Sequence, residues 1–237
     1  MNKEIKTFFQ DSFQKQNRIL PRLVPNITQM FKPKITKEEI ADLPVAEFSG
    51  EIICVKKHQY SEAIATLMQH SVVGIDTETK PAFERGKSNK VALLQIATAD
   101  KCFLFRLNKT GFTKELADFM ANDSVKKIGL AMRDDFAGLK KQRNFLPANY
   151  VDIQSIVKDY GILELGLQKV FAIIFNQKIS KSQRLTNWEN VVLTEQQKIY
   201  AATDAWATLL IYNRLMSETP LTPEEIAKIQ AENSTEF

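Results

Sequence analysis

Short apolar runs bounded by polar and turn-forming residues divide the chain into predicted strands. Runs of strand length lie at residues 51–55, 72–76, 91–97, 102–107 and 126–131. The run at 72–76 is continuously apolar and ends in an acid, which is typical of a buried strand. The second, third and fourth runs follow one another without an intervening helical pattern, and this succession indicates an antiparallel meander.

Apolar positions at helical spacing predict helices between and after these strands. The predicted helices cover residues 61–69, 113–121, 135–142, 167–174 and about 194–216. The longest of them begins with a capping box, because Thr194 precedes Gln197 by three residues. Strands followed by interleaved helices favour an α/β fold, with a mixed sheet flanked by helices.

Prolines and helix caps set the predicted domain limits. Residues 1–35 form an N-terminal appendage, partly helical, whose amphipathic pattern is broken by prolines. A capping box that begins at Thr36 opens the main domain, which we place at residues 36–218. Residues 219–237 form a short C-terminal helix and tail, because Pro223 suits the first position of a helix.

Composition narrows the class of protein. The chain has 237 residues, of which 44% are hydrophobic and 25% charged, so collagen-like and wholly disordered chains are excluded. Its two cysteines, Cys54 and Cys102, form no C-x-x-C pair, and we expect two reduced, half-buried thiols. No secretory signal or membrane-length apolar run is visible. We therefore expect a protein that is not secreted, cytoplasmic if bacterial and nuclear if eukaryotic.

Charge is distributed unevenly along the chain. The formal net charge is +4, which fits a nucleic-acid partner without requiring one. Residues 101–150 hold ten Lys and Arg against five Asp and Glu, whereas residues 201–237 hold two against six. An ordinary solvated surface is the alternative interpretation of both segments.

Acidic residues stand where apolar patterning is strongest. Asp76 and Glu78 close the buried strand at positions i and i+2, which share one face of a strand. Tyr200 and Asp204 lie four residues apart in the last long helix, so the phenol and the carboxylate converge among apolar neighbours. Carboxylates placed together repel one another unless a cation neutralises them. Each pair also has a purely structural explanation. The strand pair would be surface acids at a strand end, and the helix pair would be part of an incidental polar stripe.

A second acidic motif joins a strand to a helix. Residues 129–139 read GLAMRDDFAGL, in which Asp134 and Asp135 open the predicted helix. An Asp at this position commonly serves as a helix N-cap, so either residue alone has a structural explanation.

Together these motifs resemble a known family. Four stretches of the chain resemble, in order, the motifs of the DEDD superfamily of 3′–5′ exonucleases, tyrosine subtype. They read VVGIDTETKPAF, VALLQIAT, KKIGLAMRDDFAGL and KSQRLTNWENVVLTEQQKIYAATDAWATLLIY. The third motif is most similar to the Werner-syndrome-type exonuclease domain, and ribonuclease D is a more distant relative. The likeness covers residues 35–217. It implies a ribonuclease H-like fold and release of nucleoside 5′-monophosphates from 3′ ends.

The resemblance also assigns residues to roles. It implies catalytic and metal-binding roles for Asp76, Glu78, Asp135 and Asp204, and it implies that Tyr200 orients the attacking water. The family spacing selects Asp135 as the middle acid and leaves Asp134 as the expected N-cap. The expected cofactors are two divalent ions, Mg²⁺ or Mn²⁺, because all the ligands are oxygen atoms. Asp76 would bridge both ions, Glu78 and Asp204 would hold one, and Asp135 would help to hold the other.

The expected partner is a nucleic-acid 3′ end. DNA is favoured, in keeping with a role in DNA repair, and ribonuclease D-like trimming of RNA or a non-catalytic nucleic-acid-binding module are the alternatives. Lys181 and Arg184 are candidates for contacts with substrate phosphates. Trp188 is expected to pack beneath its loop rather than stack on a base. Residues 1–35 are a candidate docking segment for a protein partner.

Overall fold

A six-stranded sheet forms the centre of the computed structural model, which describes residues 31–82, 84 and 89–234. The strands are β1 (Glu51–Val55), β2 (Val72–Thr79), β3 (Val91–Ala97), β4 (Lys101–Phe105), β5 (Lys126–Gly129) and β6 (Tyr150–Asp152). Their order across the sheet is β1-β4-β3-β2-β5-β6. β2 pairs with β3 and β3 with β4 in antiparallel fashion, which confirms the predicted meander. The β1–β4, β2–β5 and β5–β6 pairs are parallel, so the sheet is mixed as predicted.

Helices lie on both faces of this sheet. They are α1 (Lys37–Ala41), α2 (Tyr60–Leu67), α3 (Leu107–Thr110), α4 (Lys114–Met120), α5 (Met132–Lys140), α6 (Ile153–Ile156), α7 (Leu167–Phe175), α8 (Glu195–Leu215) and α9 (Pro223–Ser234). Two 3₁₀ turns, Lys57–Gln59 and Val157–Tyr160, precede α2 and follow α6. The five longest predicted helices are all present, with ends shifted by at most three residues. β6, only three residues long, was not predicted.

The sheet separates two apolar layers. On one face, α2, α4 and α5 cover β2 and β3 through fully buried side chains such as Leu67, Leu116 and Leu139. On the other face, α7 and α8 cover the sheet through Phe171, Ala205 and Ile211. α8 is buried along most of its length, which explains why its sequence is apolar on several sides.

The contact between α8 and β2 is unusually close. A Cβ atom placed on Gly74 of β2 would lie 2.0 Å from the carbonyl oxygen of Ala205 and 2.9 Å from the hydroxyl of Thr208. The Thr208 hydroxyl lies 2.9 Å from the carbonyl oxygen of Ile128 in β5, so it also joins α8 to the neighbouring strand. Glycine in a strand often marks such a close backbone approach. The position of α8 over the sheet therefore depends on the missing side chain at Gly74.

Both ends of the described chain pack against the main body. Phe31 and Ile35 are buried, and the Phe31 ring lies 5.6 Å from the guanidinium carbon of Arg214. Ile229 of α9 is also buried. The helix predicted near the start of residues 1–35 lies outside the described residues, and the domain limits stay predictions.

The two cysteines have different environments. Cys54 is exposed and Cys102 is fully buried, so neither is half-buried as expected, and both are free thiols. Within the described ranges, no helix combines the length and the hydrophobicity needed to cross a lipid bilayer.

Replacing Gly74 with alanine tests the α8–β2 contact. The added methyl group collides with the backbone of α8, and we expect Gly74→Ala to lower the free energy of unfolding by about 1–3 kcal/mol, measured by urea denaturation. Gly166→Ala is the matched control, because a Cβ there meets nothing within 4 Å, and it should change stability by less than about 1 kcal/mol. Equal effects of the two substitutions would contradict the close contact.

Candidate active site

Two carboxylates project from the end of β2 toward α8. Gly74, Asp76 and Glu78 alternate along the strand and therefore share the face on which α8 lies. Asp76 pairs across the sheet with Gln95, and Glu78 pairs with Leu93. The register of β2 and β3 shifts between Glu78 and Thr79, so regular pairing ends beside these acids.

Helix α8 brings the third carboxylate to the same place. Asp204 directly precedes Ala205, the residue whose carbonyl oxygen abuts Gly74. Carboxylate oxygens of Asp76, Glu78 and Asp204 lie within 4.8 Å of one another. Glu78 is 9% exposed and Asp204 is 8% exposed, so water screens their charges poorly. The predicted strand and helix acids thus meet in one cluster.

Tyr200 lies one helical turn before Asp204 and is hydrogen-bonded to it. The hydroxyl donates and the carboxylate accepts, because burial and the neighbouring acids raise the pKa of Tyr200 and keep the phenol protonated. The ring of Tyr200 packs at 5.9 Å, centroid to centroid, against Trp188. Trp188 is fully buried, which confirms that it packs beneath its loop.

Asp135 approaches the cluster from the opposite face of the sheet. It lies in the first turn of α5, and the hydroxyl of Thr77 donates a hydrogen bond to its carboxylate. Thr77 stands between Asp76 and Glu78 on β2, so this bond brings Asp135 to the edge of the cluster without placing it inside. Its negative charge still raises the pKa values of Asp76 and Glu78.

Asp134 does not cap α5, so that expectation was wrong. The N-cap residue is Ala131, in a left-handed conformation with φ of 59°. The carboxylate of Asp152 accepts hydrogen bonds from the backbone nitrogens of Ala131 at 3.1 Å and Met132 at 2.8 Å. Asp134 lies within the first turn with its side chain exposed to solvent, whereas Asp135 is half-buried. A cap supplied from β6, about 20 residues away, cannot be recognised from local sequence.

Burial and mutual repulsion disfavour the ionised forms of these acids. Burial, followed by the charges of Asp135, Glu78 and Asp204, raises the pKa of Asp76 well above its usual value. Similar causes raise the pKa of Glu78 to about 9. Burial raises the pKa of Asp204 to about 7, although the Tyr200 hydrogen bond opposes the shift, and it raises the pKa of Asp135 to about 6. Protonation or a bound cation reduces the repulsion among these carboxylates.

Lys181 and Arg184 lie beside the carboxylates. Both are exposed, and their positive charges lower the pKa values of Asp204 and Glu78, respectively. The structure therefore brings these two predicted basic residues to the site. Lys80, which directly follows β2, faces Glu189 at 3.9 Å.

Hydrogen bonds fix the C-terminal part of the segment that carries these cations. Gln197 of α8 donates hydrogen bonds to the Thr186 hydroxyl at 3.0 Å and to the Asn187 carbonyl at 3.3 Å. Arg106 donates to the carbonyl of Asn190 at 2.5 Å, and Lys109 donates to that of Val191. The capping residue of α8 therefore also positions the loop above the active site.

A cavity of about 250 Å³ opens beside Tyr200. Its walls include Glu47, Ser180, Ser182 and Thr203 as well as Tyr200 itself. The Thr203 hydroxyl accepts a hydrogen bond of 2.9 Å from the backbone nitrogen of Phe48, so the segment before β1 is fixed to α8 there. The cluster thus adjoins a recess of mixed polar and apolar lining, with room for part of a ligand.

Sequence reasoning missed three residues that shape this site. Gly74 could have been found, because a glycine inside an apolar strand is a signal of close approach. Thr77 and Asp152 carried no such signal, since each acts on a residue far away in the chain. Their contributions depend on the tertiary structure.

Comparisons with known proteins agree with this geometry. The family model of a 3′–5′ exonuclease matches residues 52–220. The mouse bifunctional 3′–5′ exonuclease/ATP-dependent helicase WRN is 30% identical over 200 residues, which is 78% of this chain and 14% of that protein. Ribonuclease D of Haemophilus influenzae is 31% identical over 163 residues, covering 67% of this chain and 40% of the relative. The chain therefore matches less than half the length of either relative.

Solved structures share the fold. The EXO domain of Aedes aegypti Nibbler superposes with a TM-score of 0.64 at 21% identity, over 76% of this chain and 95% of that one. Escherichia coli RNase D gives a TM-score of 0.62 at 22% identity, over 71% and 44% of the two chains. These likenesses confirm the ribonuclease H-like mixed sheet flanked by helices. Since the family model covers most of the sequence and includes all four acids and Tyr200, the chain belongs to the 3′–5′ exonuclease family.

Proposed function

We propose that this protein hydrolyses nucleic acids from the 3′ end and releases nucleoside 5′-monophosphates. The observation that carries the proposal is the cluster of Asp76, Glu78 and Asp204, whose oxygens lie within 4.8 Å of one another beside the hydroxyl of Tyr200. Membership of the 3′–5′ exonuclease family supports the same reaction.

The site fits divalent cations. Among the described residues it offers oxygen ligands, which suit Mg²⁺ and Mn²⁺, and its carboxylates repel one another in the absence of positive charge. Asp76, Glu78 and Asp204 would hold one ion, and Asp76 with Asp135 would hold a second. Bound cations supply a Lewis acid that activates water and stabilises the departing oxygen of a phosphodiester.

The side chains of the protein position the reacting groups. The Tyr200 hydroxyl, held by Asp204 and backed by the buried Trp188, is placed to orient the attacking water. Water adds to the terminal phosphorus, the bond from phosphorus to the O3′ of the preceding nucleotide breaks, and that oxygen takes up a proton. Lys181 and Arg184 are placed to meet the phosphate charge.

DNA is the substrate that we favour. The relative WRN, which is aligned over 78% of this chain, supports this preference. RNA is the second candidate, because ribonuclease D is aligned over 67% of the chain and a similar fold is known in Trypanosoma brucei RNase D in complex with RNA U12. A purely non-catalytic binding module is less favoured, since all four acids and Tyr200 are present.

Substitution of the acids tests the reaction. We expect Asp76→Asn and Asp204→Asn to lower metal-dependent exonuclease turnover by at least about 100-fold while the protein stays folded, because each removes a cation ligand. Asp135→Asn should also reduce turnover. Asp134→Asn is the matched control, since this neighbouring acid is exposed and lies outside the cluster, and it should keep activity within about twofold. If Asp76→Asn turned over substrate as fast as the unmodified protein, the proposal would be contradicted.

Matched DNA and RNA oligonucleotides test the substrate preference. Each carries the same sequence and a fluorescent label at the 5′ end, so removal from the 3′ end yields a ladder of shortened labelled products. We expect a higher kcat/KM for DNA, with Asp76→Asn as the background control. A higher kcat/KM for RNA would establish the alternative, and immediate release of labelled mononucleotide would contradict 3′–5′ polarity.

A further inference from the structure

A second charged surface lies away from the carboxylates. It is an open cleft of about 540 Å³, called here the basic cleft, and five of its lining residues are cations. These residues are Lys57, Lys90, Lys114, Lys141 and Arg143. Among its described lining residues, Glu115 is the acid. Three of the five cations belong to the basic segment 101–150, whose charge the active site does not use.

The basic cleft lies at the same end of the sheet as the active site, where β1, β2 and β4 end and β3 begins. Thr79, at the end of β2, pairs with Val91 at the start of β3, and Leu94 pairs with Phe105 at the end of β4. Val55, the last residue of β1, pairs with Phe105 as well. Lys57 follows β1 and Lys90 precedes β3, so both lie at the end of the sheet where β2 ends, next to Glu78. Lys114, beyond α3, lines the same cleft.

Hydrogen bonds fix one wall of the basic cleft to this end of the sheet. Gln142 donates to the carbonyl of Val91 at 2.8 Å, and Arg143 donates through Nε to the carbonyl of Phe112 at 2.9 Å. Both residues directly follow α5, the helix whose first turn carries Asp135. One rigid element therefore connects the acidic site to the basic cleft.

We infer that the basic cleft binds phosphates of the nucleic-acid strand whose 3′ end occupies the active site. The inference rests on the proposed function and adds a second contact region to it. The positions of Asp135 and Lys141 differ by six residues, which is about 9 Å of helical rise. Successive phosphates of one duplex strand advance by about 3.4 Å. The basic cleft therefore lies within a few nucleotides of the reacting phosphate.

The charges of the basic cleft suit a polyanion. Lys57 and Lys90 are exposed at its rim. Lys114 forms an ion pair of 2.6 Å with Asp118, which offsets its positive charge. The charge of Arg143 lowers the pKa of Glu115. Lys57 and Lys90 are therefore the cations whose removal should weaken phosphate binding with least disturbance of the fold.

The test compares substrates that do and do not reach the basic cleft. The double variant Lys57→Gln/Lys90→Gln is assayed on a single-stranded 20-nucleotide substrate and on a dinucleotide. We expect KM for the long substrate to rise roughly tenfold with kcat unchanged, and both constants for the dinucleotide to stay within twofold. The slope of log affinity against log salt concentration should fall by about 1.4, because two phosphate contacts are removed. Lys158→Gln/Lys228→Gln, with the same change in charge on exposed residues of other elements, is the matched control.

Several results would overturn the inference. An unchanged KM for the long substrate, an equal loss on both substrates, or an equal loss in the control pair would each contradict a phosphate-binding role. If the basic cleft served an acidic protein segment instead, oligonucleotide affinity in the double variant would remain that of the original protein. Fluorescence anisotropy of the labelled 20-nucleotide strand provides a readout that needs no turnover. Failure of the proposed function is distinct, because the unmodified protein would then hydrolyse neither substrate.

Discussion

The close approach of α8 to β2 at Gly74 is the constraint on which the active site depends. The carbonyl oxygen of Ala205 occupies space that any other side chain at Gly74 would need. Because Asp204 directly precedes Ala205, this contact sets the distance between Asp204 and the two acids of β2. The small side chains of Ala201 and Ala202 are fully buried in the same layer and let the helix lie close to the sheet. Backbone packing, rather than any attraction among the carboxylates, brings the cluster together.

That packing works against electrostatic repulsion. Burial and neighbouring charge raise the pKa values of Asp76, Glu78 and Asp204, which means that their ionised forms are disfavoured in the folded protein. A protein can hold such groups only if the surrounding structure is stable without them. Here the apolar layers on both faces of the sheet provide that stability, and a divalent cation would relieve the repulsion. The exposed Lys181 and Arg184 stand at the margin, where their charges lower the pKa values of Asp204 and Glu78, respectively.

Much of this arrangement could be predicted from the sequence, because it depends on local periodicity. Alternation along a strand placed Asp76 and Glu78 on one face, and helical spacing placed Tyr200 beside Asp204. The choice of Asp135 over Asp134 came from the family spacing, and the structure places Asp135 toward the cluster and Asp134 in solvent. The N-cap expectation for Asp134 was wrong because Asp152 reaches that helix from another strand. β6 escaped prediction because three residues carry too little periodicity, and the basic cleft gathers residues from four separate parts of the chain.

The central claim is that Asp76, Glu78 and Asp204 form a cation site at a nucleic-acid 3′ end. The most direct measurement is a crystal structure with Mn²⁺ and a nucleoside 5′-monophosphate, in which anomalous scattering locates the ions. We expect an anomalous peak among the oxygens of these three carboxylates, a second peak nearer Asp135, and the phosphate beside both. An ordered site without any anomalous peak at the three carboxylates would contradict it.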